Sequence, residues 1–237
     1  MDRSKIILII LSYIAFIALG MPDGLLGVAW PSIRASFDIS LDSLGVLLMA
    51  TVSGYLISSF SSGYLISRSS VGVVLAASCA LTGLGLIGYT LVPAWWMMVL
   101  LGIVAGLGAG AIDAGLNTYV ATHFSERAMQ WLHASYGIGV TLGPMIMTFT
   151  LTALNSWQVG YNIVGGFQWL LAVCFALTLS AWTQGQGSAS TTPDQPTLLT
   201  DYKTSFRVTF RQGRVWLNAF LFLLYTGSEV AASVWAY

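Results

Sequence analysis

Seven runs of mostly apolar residues follow one another along this chain, near Ile6–Trp30, Leu44–Ile66, Val71–Leu91, Trp95–Ala121, Gln130–Ala153, Val159–Trp182 and Val215–Tyr237. A run of about 20 such residues, rising about 1.5 Å per residue as a helix, crosses the hydrocarbon core of a bilayer, so each run predicts a transmembrane helix. Composition agrees: 56% hydrophobic residues, 8% charged residues and a mean hydropathy of +0.78 exclude a soluble domain, which carries roughly a quarter charged residues. The expected fold class is an all-α membrane protein.

The polar residues between the runs set orientation and organisation. Arg3, Lys5, Arg68, Arg127, Lys203, Arg207, Arg211 and Arg214 precede run one or follow an even-numbered run, and only Arg34 lies on the opposite side. Cytoplasmic loops retain Lys and Arg, which places the N-terminus in the cytoplasm. Run one follows Arg3 and Lys5 as a signal peptide would, but Pro22-Asp23-Gly24 replaces a small-residue cleavage site, so it reads as a retained helix. Runs one to three and four to six look like two copies of one unit. Each opens with a glycine-rich helix bearing a lone acid, Gly20-Met-Pro-Asp23-Gly24 in one and Gly110-Ala-Ile-Asp113-Ala-Gly115 in the other. An odd number of spans per copy inverts the second copy in the membrane. The predicted organisation is a six-helix bundle over 1–183, a cytoplasmic loop over 184–213 and a seventh helix over 214–237 that opens an incomplete second bundle. In the loop, a Gly/Ser/Thr-rich linker gives way to Lys203, Arg207, Arg211 and Arg214 beside Tyr202, Phe206 and Phe210. That pattern is a basic amphipathic segment suited to the inner bilayer surface, or else an ordinary basic loop.

Three acids lie inside the runs: Asp23, Asp113 and Glu229 in the first, fourth and seventh. A carboxylate at bilayer depth costs about 2.5–3.5 kcal/mol on insertion scales, so acids kept at this interval point to a polar site or pathway in the membrane. By helical rise Asp113 lies roughly 14 Å, and Asp23 roughly 25 Å, from the cytoplasmic ends of their helices, which staggers them in depth. The structural alternative is a neutral carboxyl tying neighbouring helices together.

Other residues join them. Gly102, Gly106 and Gly110 recur every fourth residue, permit close helix approach, and continue nearly in line to Asp113 and Asn117. Pro22 removes a helix hydrogen bond, and with Gly24 predicts a kink or unwinding beside Asp23. Tyr136, Asn117 and Gln168 offer hydrogen bonds to solute hydroxyls, with Gln168 equally readable as helix-to-helix glue. His133, near the cytoplasmic start of run five, and Arg68 read as gating residues or as plain loop contacts. Ser53, Ser58, Ser59, Ser61 and Ser62 give run two a polar side that lines water or packs tightly. Cys79 and Cys174 lack metal-ligand or CxxC spacing and read as packing residues. The tryptophans near the run ends read as an interfacial belt. No metal, cofactor, catalytic residue or nucleic-acid partner is expected. An intramembrane aspartyl protease would need a GxGD loop, which Gly108-Ala-Gly110-Ala-Ile-Asp113 does not supply, and acids within a few ångströms of each other.

These motifs together resemble the major facilitator superfamily, and within it the fucose:proton symporter-like and glucose carrier group. The resemblance rests on Pro22-Asp23-Gly24, on Gly108 to Asn117, on Leu132-His133 with Gly139-Val-Thr-Leu-Gly143-Pro144, and on Tyr225-Thr-Gly227-Ser-Glu229. It implies a major-facilitator-type N-terminal bundle with a 3+3 inverted repeat plus helix seven. It further implies that Asp23 and Asp113, with Asn117, serve proton coupling and sugar recognition. The chain departs from the family in its loop Gly63-Tyr-Leu-Ile-Ser67-Arg68-Ser-Ser-Val-Gly72, where of the usual G-x-x-x-D-R-x-G-R-R/K pattern only Gly63 and Arg68 remain. The fourth-helix acid is Asp where the fucose carrier has Glu.

The expected function is secondary active transport, by a whole carrier or a truncated half, of a small polar solute such as a sugar across the plasma (inner) membrane. Alternating access and coupling to protons, or to sodium, are expected, because a carboxyl in dry surroundings can take a proton on one side and release it on rehydration. The expected partners are the solute, the coupling ion, the lipid bilayer and a missing C-terminal half. The alternatives are a proton-driven exporter, which Gly139-x-x-x-Gly143-Pro144 allows, and an inactive membrane fragment.

Overall fold

The computed structural model describes residues 3–184 and 211–235, and it is all-helical there. The helices are α1 (Arg3–Phe37), α2 (Ser43–Arg68), α3 (Val71–Tyr89), α4 (Trp95–His123), α5 (Glu126–Leu154), α6 (Trp157–Leu177), a short α7 (Leu179–Gln184) and α8 (Gly213–Trp235). Six of them, α1 to α6, are long and apolar enough to cross a membrane. The chain is therefore a multi-pass membrane protein with the expected all-α fold. It divides into two compact units, Met1–Ser188, which holds α1 to α7, and Ala189–Tyr237, which holds α8. Lys203, Arg207, Tyr202, Phe206 and Phe210 of the basic segment lie outside the described residues, as does Tyr237 at the end of the seventh predicted span.

The helix ends follow local chemistry. The hydroxyls of Ser70 and Ser125 accept from the backbone N–H groups of Val73 (3.3 Å) and Ala128 (3.4 Å), which starts α3 and α5. After α1 and α5 the chain turns at Asp38 (φ 51°) and Asn155 (φ 50°), left-handed positions that short polar side chains tolerate. Helix α1 differs from expectation at both its end and its middle. It runs on to Phe37 instead of stopping near Trp30, and it stays helical through Pro22 and Pro31. Pro22 has no N–H to give the carbonyl four residues back, that of Ala18. The side-chain Nε2 of Gln168 on α6 donates to that carbonyl instead, at 3.0 Å, so the backbone loses no bond.

Within the first unit α1 runs along α5, α2 along α4, and α3 packs on both α4 and α6, while α1 also touches α6. Exchanging the first three helices with the next three turns α1–α5 into α4–α2 and leaves α3–α6 unchanged. The packing thus has the two-fold internal symmetry that the sequence repeat requires. Glycines close both lateral pairs: Gly106 of α4 lies against the Thr51 carbonyl of α2, and Gly139 of α5 against the Ile17 carbonyl of α1.

The buried apolar residues form two clusters stacked along the helices. One gathers Leu8, Phe16, Leu75, Cys79, Ile112, Leu116, Leu132, Phe175 and Trp182 near the end carrying the N-terminus. The other gathers Leu25, Trp30, Ile33, Leu47, Tyr89, Met98, Trp157 and Tyr161 near the opposite end. Trp30, Trp157 and Trp182 are thus core residues, while Trp96 and Trp131 stay exposed. The expected belt is only partly a belt, because Trp30 and Trp157 clamp helix ends: Trp30 sits edge-on to Trp95, and Trp157 Nε1 donates to Ser36 Oγ at 3.0 Å. Between the clusters lies a polar layer, with Gln168 on α6 set between Val164 and Leu171, and Thr82 on α3 between Cys79 and Leu86.

Candidate functional site

The bundle carries two matching constructions at different levels, Asp113 between Ile112 and Leu116 of the cluster near the N-terminal end and Asp23 between Met21 and Leu25 of the other. On α4, Gly110 lies against the backbone carbonyl of Tyr55 on α2, which brings the two helices to near contact. Three residues further along α4, the Asp113 carboxylate receives the Tyr55 hydroxyl at 2.5 Å. On α1, Gly20 lies against the backbone carbonyl of Tyr136 on α5, and three residues further on the Asp23 carboxylate receives the Tyr136 hydroxyl at 2.5 Å. Each half-repeat therefore holds a Gly-x-x-Asp whose glycine admits a tyrosine backbone and whose acid receives that tyrosine's hydroxyl. Both bonds are at the short end of the range for O–H donors on carboxylates.

The two are not identical. Asp113 is half-buried and accepts a second bond, from Asn117 Nδ2 one turn away, at 2.9 Å. Asp23 is exposed. Tyr55, whose hydroxyl Asp113 accepts, lies within electrostatic range of Asp23 as well. The side-chain donors to both acids are neutral hydroxyl and amide groups. At this depth the acids are therefore held by hydrogen bonds.

The remaining predicted residues fall into place around these pairs. Asn117 keeps its Oδ1 unpartnered beside Asp113, an unspent acceptor. Gln168 is fully buried, and its Nε2 serves the Ala18 carbonyl while its Oε1 has no partner. Pro22 is half-buried in α1, and Gly24 packs against Pro144 and the Val140 carbonyl of α5, a carbonyl that Pro144 leaves without its helical donor. His133 is exposed and sits edge-on to Phe16, with ring centroids 6.0 Å apart. Arg68 is exposed, its guanidinium 4.6 Å from the Tyr64 ring centroid. Glu229 falls on α8, in the second unit.

The serines of α2 divide between two environments. Ser58 and Ser62 are buried, and Ser59 reaches across to the Gly110 carbonyl at 3.2 Å; Ser53 and Ser61 are exposed and bond back to their own helix. Tyr55 is the site residue that the sequence reading missed. The repeat motifs do not reveal it in sequence, because the offset of 90 that superposes Asp23 on Asp113 carries Tyr55 to Met145 rather than to Tyr136.

Comparison with known proteins gives this geometry a family. The profile of the Major Facilitator Superfamily matches residues 12–237. Among curated relatives, the mouse "Sodium-dependent glucose transporter 1A" is 29% identical over 140 residues, covering 56% of this chain and 32% of the relative. The "Glucose/mannose transporter GlcP" of Bacillus subtilis (strain 168) is 21% identical over 170 residues, covering 71% of this chain and 42% of the relative. The chain thus spans less than half the length of either relative. A bundle of six membrane-length helices with inverted internal symmetry, matched by that profile over nearly its whole length, belongs to the Major Facilitator Superfamily.

Proposed function

We propose that this chain supplies the N-terminal half of a secondary active transporter that moves a small polar solute, a sugar, through the plasma membrane by alternating access, coupled to protons. The observation that carries the reading is the pair of tyrosine-capped carboxylates, Asp23 and Asp113, each three residues beyond a packed glycine inside a membrane-length helix. A membrane scaffold pays a high cost for such groups, and a shared interior gives them access to a transported solute and to protons. The glucose-carrier names of the relatives support the solute class. The unspent Oδ1 of Asn117 suits a hydroxyl donor beside Asp113. Proton and solute bound together shift the balance between outward-open and inward-open forms.

The test is uptake of labelled glucose into vesicles containing the chain, alone and co-expressed with a C-terminal half, under an imposed proton gradient. Uptake down the proton gradient, lost at least tenfold in Asp113→Asn, is the expected outcome. Sugar movement against the direction of the protons would replace the reading with an exporter. The mouse relative's name favours one second reading, sodium as the coupling ion, and a sodium gradient imposed at constant pH separates it.

A further inference from the structure

We propose that Tyr55 and Tyr136 are a matched pair of positioning residues. Each donates its hydroxyl to the carboxylate at the equivalent place of the two half-repeats, and so sets the proton concentration at which that carboxyl ionises. The inference rests on the transport reading for its purpose, but its geometry stands independently. Two separate helix pairs, α2–α4 and α1–α5, arrive at the same three-part arrangement of glycine, tyrosine carbonyl and tyrosine hydroxyl on aspartate. Tyrosines in a membrane bundle have many places to go, and Tyr13 shows the structural alternative by donating to the Ala128 backbone carbonyl at 3.2 Å. That both helix pairs direct a tyrosine hydroxyl onto the acid three residues beyond a packed glycine points to a requirement of the acids.

The chemistry follows from which species accepts. An ionised carboxylate receives a hydroxyl donor more strongly than a neutral carboxyl does, so the tyrosine stabilises the ionised form. On release, the carboxyl O–H bond breaks with its electron pair left on the aspartate oxygens, the tyrosine O–H still facing Oδ2, and the proton passes to water. The tyrosine keeps its own proton throughout. The groups facing these acids are Tyr55 and Ser59 from α2, Asn117 from α4 itself and Tyr136 from α5. Tyr161 from α6 lies within electrostatic range of Asp23, as Tyr55 does of both carboxylates. On the α3 side of α4, Gly108 meets Ser78 and Thr82, which do not titrate.

The test reads the carboxyls directly and needs no transport. In the purified chain, the infrared band of protonated carboxyl is followed against pH, and the Asp23 and Asp113 contributions are assigned by difference from Asp23→Asn and Asp113→Asn. Removing a hydrogen bond to a charged group, worth about 1.5 kcal/mol, moves an ionisation about tenfold in proton concentration. Tyr55→Phe is expected to move the Asp113 midpoint, and Tyr136→Phe the Asp23 midpoint, to higher pH by about that factor, with Tyr13→Phe leaving both in place. Should a phenylalanine variant not fold, fluorotyrosine introduced at position 55 or 136 keeps the shape, sharpens the donor and should move the midpoint the other way. Unmoved midpoints in these proteins, or an equal movement in Tyr13→Phe, would overturn the proposal. Shifted midpoints without any sugar uptake would leave it standing and remove the transport reading instead.

Discussion

Around Asp113, α4 is free of proline, glycines at 102, 106 and 110 seat it on α2, and the acid is held from two sides by Tyr55 and Asn117. Around Asp23, α1 carries Pro22 in the adjacent position and stays helical, the acid is exposed, and among the described residues Tyr136 is the one side-chain donor on it. The two half-repeats therefore share a scaffold and differ in restraint. Symmetry of packing fixes where an acid and its tyrosine meet, whereas the residues one turn away fix how tightly the acid is held. The Asp113 side is braced by two donors, and the Asp23 side by one.

The shared scaffold is tested most severely at its glycines. A leucine at Gly106 would drive its side chain into the Thr51 carbonyl of α2, and one at Gly139 into the Ile17 carbonyl of α1. Because each obstacle is partner backbone, relief requires separating the helices, at a cost of about 3 kcal/mol or more. Gly106→Leu and Gly139→Leu should both lose the monodisperse peak on size-exclusion chromatography, while Gly166→Leu, at a position with open space, should keep it. Tolerance at one of the two glycines alone would show that the lateral pairs are not equivalent.

The difference between the sides is sharpened at Gln168. Its amide replaces the donor that Pro22 removes from the Ala18 carbonyl, a need that α4 does not have. Gln168→Leu should leave that carbonyl unsatisfied and lower stability in detergent by about 1–2 kcal/mol. In a Pro22→Ala background the main-chain N–H returns, and the same substitution should cost less than about 0.5 kcal/mol. An equal cost in both backgrounds would mean that Gln168 holds α6 to α1 in some other way.

The helices and the acids were legible because each rests on a contrast within a single stretch of chain: an apolar run against polar flanks, or a charge inside an apolar run. Asp23 and Asp113 could be named on that basis, and Gln168 could be noticed as a lone polar residue. What could not be read were relations between distant stretches. Tyr55 is an ordinary aromatic of a membrane helix until α2 is laid along α4, and the two partners lie 58 residues apart. Gln168 and the Ala18 carbonyl lie 150 residues apart, so the role of that amide depends on how α6 meets α1. For the same reason Pro22 predicted a broken helix, since one chain segment cannot show that another supplies the missing donor. The inverted repeat, legible from Gly20 to Gly24 against Gly110 to Gly115, related the two acids to each other but not the tyrosines that meet them.

The smallest expected effect lies at the second brace of Asp113. Asn117→Ala removes the Nδ2 donor but leaves the Tyr55 bond, and so gives Asp113 the single tyrosine donor that Asp23 has. Stability should move by less than about 1 kcal/mol, because the loss of one hydrogen bond is offset by removing an unpartnered buried oxygen and by alanine's preference for the helix. The ionisation should respond more clearly: with one donor fewer, the Asp113 carboxylate is less well held, and its midpoint should move to higher pH, to about a threefold lower proton concentration, a smaller change than for Tyr55→Phe. The sign is what matters. Movement to higher pH marks Asn117 as part of the restraint on the acid, whereas no movement would place all of that restraint in Tyr55 and make the two half-repeats chemically as well as geometrically alike.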